Sequence, residues 1–297
     1  MPSVRLRAFA KINLGLRILG RRPDGYHEIR TIYQTVTLAD RLQVSILPRS
    51  TGIQVEADDP AVPGGRENLV YWACERWRRA RNFRGGVRMK LEKKIPAGSG
   101  LGGASSDAAA ALLGLEHLTG DKLSPAARFK LAVALGSDVP FFLVGGRALG
   151  CGRGEEVYPL ADLPRSRCLV VFPGVGQFTR EAYRDLDCQL TGRARARSID
   201  TFGVWSQFPI EGWGPAENGF EDVVFAKWPK LRSLKQQLLR AGAETASLSG
   251  SGSAIYAIWD NARRLNAARR LVPPGWRTFV VRTLPRSEYR RRLFDAS

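Results

Sequence analysis

Between residues 96 and 106 the chain reads PAGSGLGGASS, four glycines and three serines ahead of an alanine-rich apolar run. Glycine permits positive φ and lets main-chain amides come close to a ligand. Serines at a helix start can cap it and also donate hydroxyl hydrogen bonds, and the helix end adds partial positive charge. The combination is an anion site suited to a polyphosphate. Two better-known readings fail on context. Gly98, Gly100 and Gly103 satisfy G-x-G-x-x-G, but the preceding strand carries Arg88, Lys90 and Glu92 on one face, where a central parallel strand is apolar on both. No strand ending in an acid follows about 20 residues on. A P-loop needs a lysine where Ala104 stands. A strand-to-helix turn without a ligand needs fewer glycines. Asp107, in the first helical turn, would repel phosphate unless it faces sideways or is offset by a cation.

Asp138 sits in GSDVPFFL, in a turn just before Pro140, where a carboxylate can project into a cleft or cap a turn. Lys11 and Asn13 share one face of an alternating strand, opposite Ile12 and Leu14. Read alone, Lys11 is equally a solvent-facing strand lysine. Tyr26 and His27 follow a PDG turn. The ring of Tyr26 can stack on a pyrimidine, and either nitrogen of His27 can bond a base edge. Cys74, Cys151, Cys168 and Cys188 are scattered without CxxC spacing, and His27 and His117 are the only histidines. That argues against a His/Cys zinc site and for isolated reduced thiols.

The elements that position these residues follow from periodicity. Ile12, Leu14, Leu16 and Ile18 alternate, as do Leu42, Val44 and Ile46, and Val87, Met89 and Leu91. Period two predicts strands with one buried face. Helical spacing predicts helices over 68–82, 105–118, 125–135, 228–241 and 260–271, with Ser124 and Pro125 opening the third. Further strands are expected at 167–173, 244–248, 253–259 and 276–283. The stretch 189–219, with Trp205 and Trp213, carries no motif. The count of alternating strands favours an α+β protein with antiparallel sheets, divided into domains 1–155 and 156–297. A chain of 297 residues with 44% apolar and 25% charged content can bury a sizeable core. It has no apolar run of membrane-spanning length and no secretory signal, so a cytoplasmic protein with no membrane partner is expected. The net charge of +18, clustered at 76–84, 193–197 and 289–294, attracts polyanions, phosphorylated metabolites included. No nucleic-acid partner is expected, because no nucleic-acid module signature accompanies the charge.

Three segments together resemble a known family. PAGSGLGGASSDAAAALL is similar to the central phosphate-binding motif of the GHMP kinases, the family of galactokinase, homoserine kinase, mevalonate kinase and phosphomevalonate kinase. AFAKINLGLRILGRRPDGYHEIRTIYQTV (8–36) resembles its first motif, and ASLSGSGSAIYAIW (246–259) its glycine-rich third. The resemblance implies a two-domain GHMP kinase fold, with a ribosomal-protein-like N-terminal domain, a ferredoxin-like C-terminal domain and an active site between them. It implies transfer of the γ-phosphoryl of ATP to an alcohol, with Mg²⁺. AKINLGL with RPDGYHEI points within the family to a cytidyl diphosphate substrate phosphorylated on its 2-hydroxyl. FPGVGQFTREAYRDL (172–186) resembles a segment of the cytidine pocket, and ENGFEDVVF (217–225) a further signature.

The resemblance also implies roles. Asp138 takes the hydroxyl proton, and Lys11 keeps that carboxylate ionised and orients the hydroxyl. Asn13, Tyr26, His27, Thr179 and Tyr183 bind the substrate. Pro96, Ala97, Gly98, Ser99, Gly100, Leu101, Gly102, Gly103, Ala104, Ser105 and Ser106 enclose the phosphates of ATP, with Asn68 and Lys93 near the adenine. Ser249, Gly250 and Gly252 close the site from the other domain. Mg²⁺ is expected on phosphate oxygens and water; no sequence feature identifies a protein ligand. The competing readings are a GHMP kinase acting on mevalonate or homoserine, and an RNA-binding module, since fold does not decide function. The sequence leaves the oligomeric state open.

Overall fold

A long antiparallel hairpin organises the N-terminal half. β1 (Ser3–Arg21) pairs along its length with β2 (His27–Leu47). The connecting turn is closed by the Arg22 amide donating to the Tyr26 carbonyl, with Gly25 at φ 84°. On its other side β2 pairs with β4 (Gly86–Glu92) and β5 (Arg147–Cys151). β3 (Ile53–Ala57) runs parallel to β4, and β6 (Glu156–Pro159) completes the sheet beside β5. The sheet therefore runs on past residue 155, where the sequence reading places the domain division. The structure, a computed structural model, describes residues 2–176, 179–190 and 217–295, without the side chains of 179, 180 and 187–190. Trp205 and Trp213 lie outside the described residues.

Four helices accompany this sheet: α1 (Leu69–Arg81), α2 (Gly103–Thr119), α3 (Pro125–Leu135) and α4 (Val139–Val144). The alanine run of α2 explains itself through packing. Ala108, Ala109, Ala110 and Ala111 are buried, and a Cβ on Gly114 would lie 2.9 Å from both Leu6 and Val44. Small residues let this helix lie close on β1 and β2. α2 starts two residues before the expected position. Gly102, at φ 76°, takes the cap; the Ser106 hydroxyl instead donates to the Phe9 carbonyl at 2.7 Å. Ser124 caps α3 as its sequence predicts, accepting from the Ala127 amide.

A second, four-stranded antiparallel sheet has the order β10 (Arg277–Arg282), β7 (Arg167–Phe172), β9 (Ile255–Trp259), β8 (Thr245–Leu248). With it come α5 (Thr179–Leu190), α6 (Glu221–Lys227), α7 (Pro229–Arg240) and α8 (Ala262–Ala268). α5 and α6 arise where the periodicity predicts no helix. The last helix, α9 (Arg286–Leu293), returns to the first core, where the Tyr289 hydroxyl donates to the Phe142 carbonyl.

The two sheets share a core of Ala10, Ile12, Leu14, Leu101, Val170, Tyr256 and Ile258. This corrects the expectation of one buried face on β1. Residues 8–16 are all buried: Ala10, Ile12 and Leu14 pack against the second sheet, while Lys11 and Asn13 on the opposite face are covered by Gly102, Gly250 and Asp138. Lys11 and Asn13 are thus interior residues, not solvent-facing ones. Cys74, Cys151 and Cys168 are free thiols, and burial pushes that of Cys74 up to about 12.

Candidate active site

A cleft of about 1110 Å³ lies along the β1–β2 hairpin, bounded by the glycine segment, the start of α4, the beginning of α5 and residues 250–251. Its shape depends on two glycine motifs interlocked backbone to backbone. Gly98, Gly100 and Gly102 have φ of 66°, 81° and 76°. A Cβ on Gly100 would sit 1.9 Å from the Ser249 carbonyl, and one on Gly252 2.2 Å from the Gly100 amide nitrogen. The Ser249 hydroxyl donates to the Gly100 carbonyl at 3.1 Å, and the Ala254 amide to the Ser99 carbonyl at 3.1 Å. The Ser99 hydroxyl closes its own turn on the Pro96 carbonyl at 2.6 Å. β1 holds the segment from beneath through the Lys11 amide and the Leu101 carbonyl, 3.0 Å apart. From the other side, the Asn218 side-chain amide donates to the carbonyls of Leu248 and Gly250.

The Ser106 amide bonds the Gly102 carbonyl, so the amides of Gly103, Ala104 and Ser105 have no intrahelical partner. These three residues line the cleft with Pro96, Ala97, Gly98, Ser99, Gly100 and Gly102. Leu101 and Ser106 do not: Leu101 belongs to the shared core and Ser106 is occupied with Phe9. Of the third motif, Gly250 and Ser251 reach the cleft. Ser249 and Gly252, expected to close the site from the other domain, hold the first loop's backbone from behind and do not line the cleft themselves.

Opposite the loop, Asp138 precedes α4 and joins residues of two strands. The Lys11 ammonium lies 3.5 Å from Asp138 Oδ2 and 2.6 Å from Asn13 Oδ1. The Asn13 amide donates to Thr31 Oγ1, which donates to the Gly15 carbonyl. Tyr33 donates to Asp138 Oδ1 at 2.9 Å and also lies 3.3 Å from the Gly154 carbonyl. The side chain of Lys11 is 4% exposed and that of Asp138 32%. The carboxylate alone of the two is open to a substrate. Burial lowers the Lys11 pKa, with Asp138 opposing the shift. Burial and the same carboxylate push the Tyr33 phenol well above the usual range, so it stays a donor. Sequence reasoning missed Tyr33. The available signal was the hairpin register, which sets Tyr33 directly across from Asn13.

The far end of the cleft is aromatic. Tyr183 of α5 stacks on His27, ring centroids 4.6 Å apart and 19° between planes, and meets Phe220 edge-on at 4.8 Å. Tyr26, 54% exposed, lies under the Arg153 guanidinium at 4.7 Å. Thr179 begins α5, but its side chain is outside the described ones.

Two expected nucleotide contacts have other occupations. Asn68 caps α1 by accepting from the Val70 amide, and it donates to the Pro63 carbonyl. The Lys93 ammonium is held between Asp40, at 2.5 Å, and Asp107, at 2.6 Å, with its side chain 5% exposed. Both residues still line the cleft, with their polar heads engaged in these internal bonds. Among the described residues no three His, Cys, Asp or Glu side chains gather to hold a metal ion. Amides and hydroxyls predominate around the loop, which suits an ion carried by phosphate oxygens. No helix among the described residues is long and apolar enough to cross a membrane.

Two family models match the chain: the GHMP kinases N terminal domain over residues 68–146 and the GHMP kinases C terminal over 210–273. The 4-diphosphocytidyl-2-C-methyl-D-erythritol kinase of Solibacter usitatus is 44% identical over 96% of this chain and 90% of its own. That of Moorella thermoacetica is 39% identical over 96% and 100%. A crystal structure of 4-(cytidine 5'-diphospho)-2C-methyl-D-erythritol kinase superposes with a TM-score of 0.77 at 34% identity, covering 94% of this chain and 98% of that one. Homoserine kinase from Cytophaga hutchinsonii superposes with a TM-score of 0.74 over 97% and 96%, at 18% identity; that likeness carries the fold alone.

Proposed function

Since the chain belongs to the GHMP kinase family, we propose that it transfers the γ-phosphoryl of ATP to the 2-hydroxyl of 4-diphosphocytidyl-2-C-methyl-D-erythritol, a step of the non-mevalonate route to isoprenoids. The observation that carries the mechanism is the position of Asp138 in the cleft beside the Lys11 ammonium and the Tyr33 phenol, facing the glycine loop. In this reading the substrate oxygen forms its bond to the γ-phosphorus as the bond to the bridging oxygen of ADP breaks. The hydroxyl proton passes to Asp138. Lys11 pairs with the carboxylate, and Asn13 and Tyr33 fix the positions of both. The free amides of Gly103, Ala104 and Ser105, at the positive end of α2, neutralise phosphate charge. Mg²⁺ would be carried on phosphate oxygens and water and would neutralise phosphate charge during the transfer.

The aromatic end, Tyr26, His27 and Tyr183, takes the cytosine. The named relatives at 44% and 39% identity support this substrate, whereas the homoserine kinase likeness at 18% extends no further than the fold. We retain a nucleotide-side domain over 1–155 and a substrate-side domain over 156–297, with β6 and α9 crossing that division, and a cytoplasmic location. The test is ADP release with each acceptor alone. Turnover with the cytidyl diphosphate substrate, and none with mevalonate or homoserine at the same concentration, is expected. Equal turnover with either of the others overturns the assignment.

A further inference from the structure

Beneath the glycine loop is a buried cluster of charge that the proposed reaction does not use. Asp40 of β2 is fully buried. Its Oδ1 accepts the main-chain amides of Lys94, at 2.5 Å, and Ile95, at 2.8 Å; its Oδ2 accepts the Lys93 ammonium. That ammonium also donates to Asp107 Oδ2 in the second turn of α2. Asp107 is 2% exposed, and among the described residues its Oδ1 has no hydrogen-bond partner. Gly103 leans over the cluster: a Cβ there would come within 3.5 Å of Asp40 Oδ2 and 3.0 Å of Ile95. The three charged residues stand on β2, on the segment after β4, and on α2. Residues 93–95 and 107 bracket the whole phosphate-binding segment, so both of its ends are tied at one point.

We propose that Asp40, Lys93 and Asp107 form an ionic clasp that positions the nucleotide-binding loop, and that the charge of this clasp sets the loop's affinity for ATP. The proposal rests on the reading of residues 96–106 as the ATP site. Lys93 is a positioning residue in it and not a nucleotide contact. With both carboxylates ionised, the clasp carries a net negative charge beneath the phosphates. With Asp107 protonated it is neutral. The charged groups acting on Asp107 are Lys93 and Asp40. Burial raises the Asp107 carboxyl to about 7; Lys93 opposes this and Asp40 adds to it. ATP binding therefore favours the protonated clasp, and by linkage affinity falls as pH rises past that range.

The test measures binding of a non-hydrolysable Mg²⁺–ATP analogue by calorimetry, with hydrogen exchange read over residues 94–106. Lys93→Met leaves two buried carboxylates without their cation. Its expected result is affinity weaker by about tenfold or more, faster exchange in the loop, and a raised KM for ATP with the KM for the acceptor unchanged. Should Lys93→Met fail to fold, Asp107→Asn decides: the wild-type protein loses affinity relative to this variant between pH 6.5 and 8.5, the chosen assay range. Wild-type affinity for Lys93→Met with unaltered loop exchange, or parallel pH profiles for wild type and Asp107→Asn, overturns the clasp while leaving the kinase assignment intact. Failure of the wild-type protein to bind the analogue overturns both.

Discussion

The phenol of Tyr33 donates a 2.9 Å hydrogen bond to Oδ1 of Asp138. The contact joins the long β1–β2 hairpin to the turn ahead of α4, and it leaves Oδ2 on the side of Lys11. The ring itself stacks on Phe141 at 4.7 Å, so a phenylalanine at this position keeps the packing. A hydrogen bond to a charged group contributes about 1.5–3 kcal/mol, and the partial exposure of Asp138 places this one at the lower end. Tyr33→Phe is expected to lower kcat about tenfold, with the KM for ATP unchanged. Steady-state kinetics with both substrates varied checks this; a loss below about twofold makes Tyr33 a packing residue only.

Asp138→Asn removes the proton acceptor and keeps the shape. The expected loss in kcat is roughly 10²–10⁴. The amides of the glycine loop are untouched, so affinity for a Mg²⁺–ATP analogue persists. A variant retaining most of its turnover removes Asp138 from the chemistry.

Lys11 gives the reaction an alkaline limit. Its pKa is lowered in the folded protein, by burial first, with Asp138 partly offsetting the shift. Between that lowered value and the unfolded one, the folded state binds fewer protons than the unfolded state. The burial cost is therefore present at neutral pH and shrinks as pH rises. Activity runs the other way, since it needs the ammonium. The kcat profile is expected to fall at a pH below the ordinary lysine value of 10.5, while circular dichroism shows the fold intact. Lys11→Arg, whose guanidinium stays charged, shows no such limb in its residual activity.

These roles were legible in the sequence to different depths, and the reason is physical. The close backbone approach of the glycine loop could be read because positive φ and tight main-chain packing demand glycine at particular places. Lys11, Asn13 and Asp138 could be placed through the motifs around them. Tyr33 could not, because its role depends on a strand register that composition does not encode. The burial of both faces of β1 was hidden for a related reason: Lys11, Asn13 and Gly15 alternate like a wet face, and the groups that cover Lys11 and Asn13, at Gly102, Asp138 and Gly250, are remote in the chain. Ser249, Gly252 and Lys93 lie beside the nucleotide loop as expected, but their partners are the loop's backbone and two buried acids. Those contacts exist only once the two sheets have met.

Tyr183 is expected to matter as a ring and not as a phenol. It stacks on His27, and burial pushes its hydroxyl up, so the group stays neutral. Stacking on a base is worth about 1–3 kcal/mol. Tyr183→Phe should leave the KM for the cytidyl substrate within about twofold of wild type, whereas Tyr183→Ala raises it about 5- to 150-fold with the KM for ATP unchanged. A matching rise for ATP places the residue in general cleft packing instead.

Two glycines with similar positive φ separate strain from fit. Gly120, at φ 70°, closes α2 with nothing within 4 Å of where a Cβ would stand. Gly120→Ala has only the left-handed backbone to tolerate, a cost of about 1–2 kcal/mol, with a drop in Tm of a few degrees and no change in nucleotide affinity. Gly100, at φ 81°, would place a Cβ 1.9 Å from the Ser249 carbonyl. That atom belongs to main chain in the facing motif and cannot swing aside, so the two loops must part. The hydrogen bonds across them, from Ser249 to Gly100 and from Ala254 to Ser99, are then lost, and the amides of the phosphate site lose their alignment. Gly100→Ala is expected to weaken ATP-analogue binding at least about tenfold, beyond its larger fall in Tm, since even a 1 Å misplacement in a site can cost about two orders of magnitude. Calorimetry on both variants at a temperature where each remains folded decides the point. If Gly100→Ala binds the analogue like Gly120→Ala, the interlock of the two glycine motifs does not shape the nucleotide site.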